Sequence, residues 1–298
     1  MVFHEGELTV QERAGVSRQA SRVGASIRPA IPPLAGDFLE RQPFVFAGSI
    51  DKDERVWASI LMGEVGFLQV LNERTIRIDA PQTDKFLFEN LQTDDRLGLL
   101  AIEFKTRRRM RANGRARVDN DSIFVYTEEV FSNCPKYIQA RFWEREEQPQ
   151  NKTGLAESFD ALTGDQIRFI ENADTFVIAS AHQTRGADVS HRGGNAGFVK
   201  VLDDRTLIFP DYSGNMMFQT LGNLQLNPKC GLLFYDFSDG KLLQLTGGAK
   251  IIWDAERVRE FAGAERLIEF ELAEARTDFL KTNLSWYFID NSPFNPEL

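Results

Sequence analysis

Two segments of the second half collect groups that could hold an anion. "DVSHRGGNAGF" (Asp188–Phe198) brings Ser190, His191 and Arg192 together with two glycines just before a strand. "FPDYSGN" (Phe209–Asn215) is a turn rich in hydroxyl, carboxylate and amide groups, with Asp211, Tyr212, Ser213, Gly214 and Asn215 in succession. Gly214 there is expected at positive φ, and a helix is expected to start at Met216. Backbone amides at a helix start favour phosphate-like anions. A third segment, Lys105–Arg117, carries seven basic residues and no acid, in a chain of net charge −9. Arginine suits phosphate because its planar fork makes paired, charge-assisted hydrogen bonds. The same patterns also suit two ordinary loops and a solvated strand face.

Other chemistries find less support. No Gly-x-Ser-x-Gly occurs. Cys134 precedes Pro135 in what reads as a helix start, and reads as a small residue at least partly buried. The three histidines, His4, His182 and His191, are too few for a usual zinc set. No Gly-x-Gly-x-x-Gly fingerprint marks a built-in dinucleotide site.

The elements that must position these residues occur twice. "GFLQVLNERTIRID" (Gly66–Asp79) and "GFVKVLDDRTLIF" (Gly197–Phe209) share Gly, Phe, Val, Leu, Arg and Thr in register. Upstream, "LAGDFLERQPFVFAGS" (Leu34–Ser49) mirrors "LTGDQIRFIENADTFVIAS" (Leu162–Ser180). Downstream, "DDRLGLLAIEF" (Asp94–Phe104) mirrors "NPKCGLLFYDF" (Asn227–Phe237), and "RMRANGRARV" (Arg109–Val118) mirrors "LLQLTGGAKI" (Leu242–Ile251). An ordered series of this kind indicates a duplicated domain, too long in period and too few in copies for a solenoid. Each copy reads as short strands, a central hairpin and few helices, the pattern of a small barrel. Thr163 and Gln166 could form a capping box, and each copy has a helix opened by Gly-Asp. The fold class is therefore mainly β: two tandem barrels with flanking helices. The polar, turn-rich "EREEQPQNKTG" (Glu144–Gly154) places the boundary, giving units 1–152 and 153–298.

Strand alternation assigns faces. Leu243, Leu245, Gly247, Ala249 and Ile251 face a core, and Leu242, Gln244, Thr246, Gly248 and Lys250 face out. Leu242 on the outer side calls for a cover, which the other barrel can supply. By the repeat, Arg109 and Arg111 hold the places of Leu242 and Gln244. The acidic balance disfavours bulk nucleic-acid or anionic-membrane binding. No apolar run nears the ~18 residues of a membrane span. Cys134 and Cys230 lie in different halves, so two free thiols and a reduced, cytoplasmic setting are expected.

"SHRGGNAGF", "FPDYSGNMMFQTLGNL", "NPKCGLLFYDF" and "LQLTGGAKIIW" resemble the pyridoxamine 5′-phosphate oxidase-like, FMN-binding split-barrel family. "FSNCPKYIQAR" (Phe131–Arg141) and "FHEGELTVQERAG" resemble its double-barrel branch. The resemblance implies a six-stranded split barrel in each half, with FMN at the barrel–barrel interface. It implies phosphate contacts at Ser190, Arg192, Ser213 and Asn215, and a ring system near Gln244 and Thr246, with His191, Asp211, Tyr212, Gly214 and Arg111 around them. It also implies an oxidoreductase acting on a small molecule, with a diffusing nicotinamide or a protein partner as electron donor, and a possible homodimer. A haem-binding or haem-degrading barrel and a flavin carrier or sensor are the alternatives. The true oxidase has an Arg-Lys pair after the turn hydroxyl. Here Gly214-Asn215-Met216 occupy that region, so pyridoxamine phosphate is not assigned as substrate.

Overall fold

Runs of Val, Ile, Leu and Phe broken by Gly, Asn and Asp set the strand lengths of this chain. The computed structural model describes residues 2–79, 84–150, 156–280 and 282–297. Helices α1 (Glu5–Arg13), α2 (Ser17–Gly24) and α3 (Pro33–Glu40) lead in. The first barrel follows as β1 (Phe44–Ile50), β2 (Val56–Met62), β3 (Leu68–Asn72), β4 (Thr75–Asp79), α4 (Lys85–Thr93), β5 (Arg96–Glu103), β6 (Arg108–Asp119) and β7 (Ser122–Asn133). Strands β8 (Ala140–Gln150) and β9 (Glu157–Phe159) join the halves. The second barrel is α5 (Gly164–Asn172), β10 (Thr175–His182), β11 (Gly186–Gly193), β12 (Lys200–Val201), β13 (Thr206–Tyr212), α6 (Gln219–Leu226), β14 (Lys229–Tyr235), β15 (Lys241–Ile252), α7 (Ala255–Arg259) and β16 (Ala264–Phe279). β17 (Thr282–Asp290) closes the chain and pairs with β8.

The two sheets have the same path. One runs β2-β1-β5-β6-β7-β4-β3 and the other β11-β10-β14-β15-β16-β13-β12, with β9 added on β16. Each path has seven strands, one more than the six expected. The duplication holds down to single residues. Gly66 and Gly197 both take left-handed backbone, at φ 95° and 87°. β6 and β15 bulge at matched points, Asn113/Gly114 and Thr246/Gly247. A Cβ on either of those glycines would lie 2.0 Å from a neighbouring carbonyl oxygen, so only glycine fits. Asn90 donates to Ser49, and its counterpart Asn223 donates to Ser180.

Each barrel has its own core, around Leu68, Ile76 and Ile78 in the first and Phe176, Phe209 and Phe234 in the second. A third cluster, including Phe46, Ala58, Leu100, Val177, Val189, Leu233 and Leu242, is built from the outer faces of both. Leu242 is thus covered by the other barrel. Close approach depends on another matched pair: a Cβ on Gly98 would meet the Ala187 carbonyl oxygen at 2.8 Å, and one on Gly231 the Val56 carbonyl oxygen at 2.6 Å.

Some local expectations hold and others change. The capping box forms, with Gln166 N–H donating to Thr163 and Thr163 N–H to Gln166. In the first copy the helix opens at Pro33, before its Gly-Asp. α6 begins at Gln219, three residues after Met216, because Met216 and Phe218 both adopt φ 63°, outside the helical region. Gly214 has no positive φ; the left-handed positions fall on those two side-chain-bearing residues instead. Cys134 lies in the turn between β7 and β8, not at a helix start. The stretch from Glu144 is strand as far as Gln150, because β17 supplies a distant pairing partner; residues 151–155 lie outside the described residues. Both cysteines are free.

Candidate functional site

A cleft forms where β6 of the first barrel runs past β11 of the second. β6 presents Arg109 and Arg111, and β11 presents Ser190, His191 and Arg192. The turn after β13 contributes Asp211, Tyr212, Gly214 and Asn215, and the first turn of α6 borders it at Gln219–Leu221. The β7–β8 turn closes the opposite wall with Asn133, Cys134, Lys136 and Tyr137. The cleft has a cavity volume of about 90 Å³ and opens to solvent.

The arginines are not equivalent. Arg111 Nη1 donates to both oxygens of Asp188 at 3.0 and 2.9 Å, and its Nη2 donates to Ser190 Oγ at 2.6 Å. Asn113 Nδ2 completes the cage of Asp188 at 3.0 Å. Arg192 pairs with Asp211, which also accepts from Arg266 Nε at 3.0 Å. Arg109 meets no carboxylate among the described residues: its Nε donates to the Cys134 carbonyl at 2.8 Å and its Nη1 to His191 Nδ1 at 3.0 Å. Burial, reinforced by Arg111, lowers its pKa to about 10. Burial first, and then Arg109, holds the pKa of His191 well below the ordinary histidine value. His191 is therefore neutral. Since Nδ1 accepts from Arg109, the proton is on Nε2.

That Nε2, Arg111 Nε, Arg192 Nε and both side-chain atoms of Asn133 are buried without hydrogen-bond partners. A buried polar group left unpaired costs ~1–3 kcal/mol. Four of the five are donors, and beside an uncompensated guanidinium they suit an acceptor-rich anion. The backbone is also strained here. Tyr137 has φ 65°, and its carbonyl oxygen would lie 2.1 Å from a Cβ on Gly193. Its ring lies 4.9 Å from that of Tyr212 at the mouth, and its hydroxyl donates to the Ser213 carbonyl at 3.1 Å. Burial raises the Tyr212 hydroxyl to about 12.

Of the residues singled out from sequence, Ser190, His191, Arg192, Asp211, Tyr212, Gly214, Asn215 and Arg111 line the cleft. Ser213 borders a neighbouring depression with Trp253 and Glu265. Gln244 and Thr246 lie elsewhere, because the carbonyls of β2 claim them. Gln244 Nε2 donates to the Ala58 carbonyl at 2.8 Å and to Ser59 at 3.2 Å, and Thr246 Oγ1 donates to the Val56 carbonyl at 2.8 Å. The sequence reading left Arg109 open and missed Asn133, Lys136 and Tyr137. Their signal, "NCPKY" between two β-rich runs, was visible but carried no chemistry by itself.

The duplication produces a second, mirrored location where Leu242, Gln244 and Thr246 face β2. There Trp57 is fully buried, its Nε1 donating to Asp51 at 2.9 Å. Among the described residues that location is filled. The other two histidines pack together, ring centroids 4.3 Å apart, with Glu5 close by. His4 Nδ1 accepts from the Gly6 amide, and His182 Nδ1 from the amides of Thr184 and Arg185. Both rings in neutral form therefore carry the proton on Nε2 and offer a metal no lone pair there. No helix among the described residues is long and apolar enough to cross a membrane.

Two like-folded barrels joined face to face, with a cationic cleft on their seam, define a fused split-barrel protein. The sequence matches the pyridoxamine 5′-phosphate oxidase family over residues 31–154 and again over 163–285, and the chain belongs to that family, carrying its domain twice. Similar solved structures each align nearly whole with about two-fifths of this chain. HupZ of Group A Streptococcus is 13% identical over 41% of this chain and 98% of its own, with a TM-score of 0.34. A putative pyridoxamine 5′-phosphate oxidase of Lactobacillus delbrueckii is 16% identical over 39% and 94%, TM-score 0.33. An FAD-binding protein of Mycobacterium smegmatis is 12% identical over 41% and 99%, TM-score 0.30. No curated protein matches the chain.

Proposed function

We propose that the cleft holds FMN by its phosphate and that the protein is an FMN-dependent oxidoreductase acting on a small molecule. The observation that carries this reading is Arg109, a half-buried side chain lining the cleft with no carboxylate partner among the described residues. Ion-pairing by a phosphate would balance it, and the α6 amides would add to the attraction. The cavity volume of about 90 Å³ is far below the ~300–1,000 Å³ of a whole-ligand pocket. It would take the phosphate and leave the ring system toward solvent, on the side of Tyr137 and Tyr212. FMN when bound supplies the electron-accepting and electron-donating chemistry. The chain's own residues position it: neutral His191 holds Arg109 in place without adding charge, and Arg111 and Arg192 keep Ser190 and Asp211 fixed.

The electron donor in this reading is a diffusing nicotinamide or a protein partner. A haem reading loses ground because His191 Nε2 carries a proton in the tautomer that Arg109 fixes. FMN titrated into the apoprotein should bind and give a yellow complex, and Arg109→Met should weaken binding roughly 10–100-fold, the loss of one charge-assisted contact. Unchanged affinity in Arg109→Met would remove the phosphate from this cleft. Reduction of the bound flavin by NAD(P)H separates an oxidoreductase from a carrier.

A further inference from the structure

A second cavity, of about 330 Å³, shares no lining residue with the cleft. It is walled by β8, β17, the start of β10 and the end of β14. Its size falls at the lower end of small-molecule pockets, ~300–1,000 Å³. Phe237 and Trp286 pack edge to face at 5.2 Å along one wall, and the Arg141 guanidinium lies 4.2 Å over the Phe237 ring.

Polar groups in this aromatic wall are left unmatched. Arg141 is 9% exposed; its Nη2 pairs with Asp174, but Nη1 is buried without a partner. Thr175 is 6% exposed with an unpartnered Oγ1. Trp286 Nε1 stands beside Tyr235 without a hydrogen bond of ordinary geometry. Asp236, bonded through Oδ1 to Ser238, adds an acceptor on the same wall. Residues carrying unpartnered donors, and one carrying an acceptor, thus wall one partly aromatic space.

The duplication shows how the space arises. β1 pairs Gly48 with Gly98 and β10 pairs Ala179 with Gly231, so Thr175 is the counterpart of Phe44. Phe44 fills its position, packing on Phe46, Phe104 and Trp286. The second barrel has a small hydroxyl where the first has a ring.

We propose that this cavity binds a planar heteroaromatic ring whose edge carries an acceptor beside a donor, the edge that nicotinamide and adenine share. The ring packs on Phe237 and Trp286. Its acceptor meets Arg141 Nη1 and Thr175 Oγ1, and its donor meets Asp236. The site shares no lining residue with the flavin cleft, although Arg141 adds to the charge felt by His191.

The test uses the full-length, FMN-loaded protein and the indole N–H resonances of its four tryptophans. Trp286→Phe identifies the Trp286 signal. Nicotinamide or adenosine should shift that signal saturably and leave those of Trp57 and Trp253 in place. A shift with only one of them names the source. Thr175→Phe, which copies the first barrel, should abolish the shift, and Arg141→Gln should weaken binding at least tenfold; neither should change FMN affinity more than about twofold. No saturable shift with either compound, or a shift that survives Thr175→Phe, overturns the proposal.

Discussion

Arg109 and Arg192 both reach the cleft, yet of the two only Arg109 has no carboxylate partner among the described residues. The β-alternation of the Lys105–Arg117 segment placed Arg109 and Arg111 on one outer face. Which of them is free was not legible, because the counter-ion comes from the other half: Asp188 is 77 positions from Arg111. The family resemblance points to Arg192, beside two glycines, as the phosphate fork. Its neighbour across the cleft, Asp211, is shared with Arg266, and no local pattern announces that triad. Removing Arg192 leaves Asp211 still bonded to Arg266 at 3.0 Å. Arg192→Ala should therefore lower FMN affinity less than Arg109→Met does, by several-fold at most. Paired titrations of the two variants check the ranking, and a larger loss in Arg192→Ala would move the phosphate to β11.

At the scale of elements, α1 shows how a lead-in helix is tied to the site. Gly6 lies so close to α6 that a Cβ there would be 2.2 Å from the Gly222 carbonyl oxygen. His4 and Glu7 form a capping box that buries both, His4 Nδ1 accepting from the Gly6 amide and the His4 amide donating to Glu7 at 2.8 Å. Burial raises the Glu7 pKa to about 8, with Glu129 and Asp188 adding to it and Arg185 opposing, and burial beside His182 lowers that of His4 to about 4. At neutral pH the pair is therefore largely uncharged. The native state keeps the Glu7 proton that the unfolded chain releases near 4.5. The stability this gives is complete below 4.5 and is lost as pH rises through about 8. His4 acts in the opposite sense and only below its ordinary 6.5. Between about pH 6.5 and 8.5 the urea midpoint should fall, and Glu7→Gln should flatten that fall; an equal decline in the variant would show that another group is responsible. The α6 helix was legible from its spacing and from the Asn-Pro that follows it. The true start of α6 was not, since left-handed Met216 and Phe218 break a rule that favours glycine there.

Across the whole molecule the duplication was legible, down to the paired glycines at 66/197 and 98/231, because identical residues in identical order demand one topology. The pairing of β8 with β17 was not, since Trp143 and Trp286 meet across the whole length of the second barrel. The sequence also left open whether each barrel has a working cleft. Pseudo-twofold packing creates two equivalent seams, and the side chains make them unequal. Where one seam has Arg109 and Arg111, the other has Leu242 and Gln244; where one has Asp188, the other has buried Trp57. Gln244 spends its donor on the Ala58 carbonyl, so that seam is closed by hydrogen bonds as well as by volume. Among the described residues its cation, Arg276, lies over the Trp57 and Phe86 rings beside Asp84, and no unpartnered buried donor faces it. FMN titration should accordingly saturate at one equivalent per chain, read from flavin absorbance against protein concentration. Arg109→Met should weaken that single class of sites without exposing a second. Saturation at two equivalents would mean that Trp57 moves aside and that the seam of the first barrel opens to ligand.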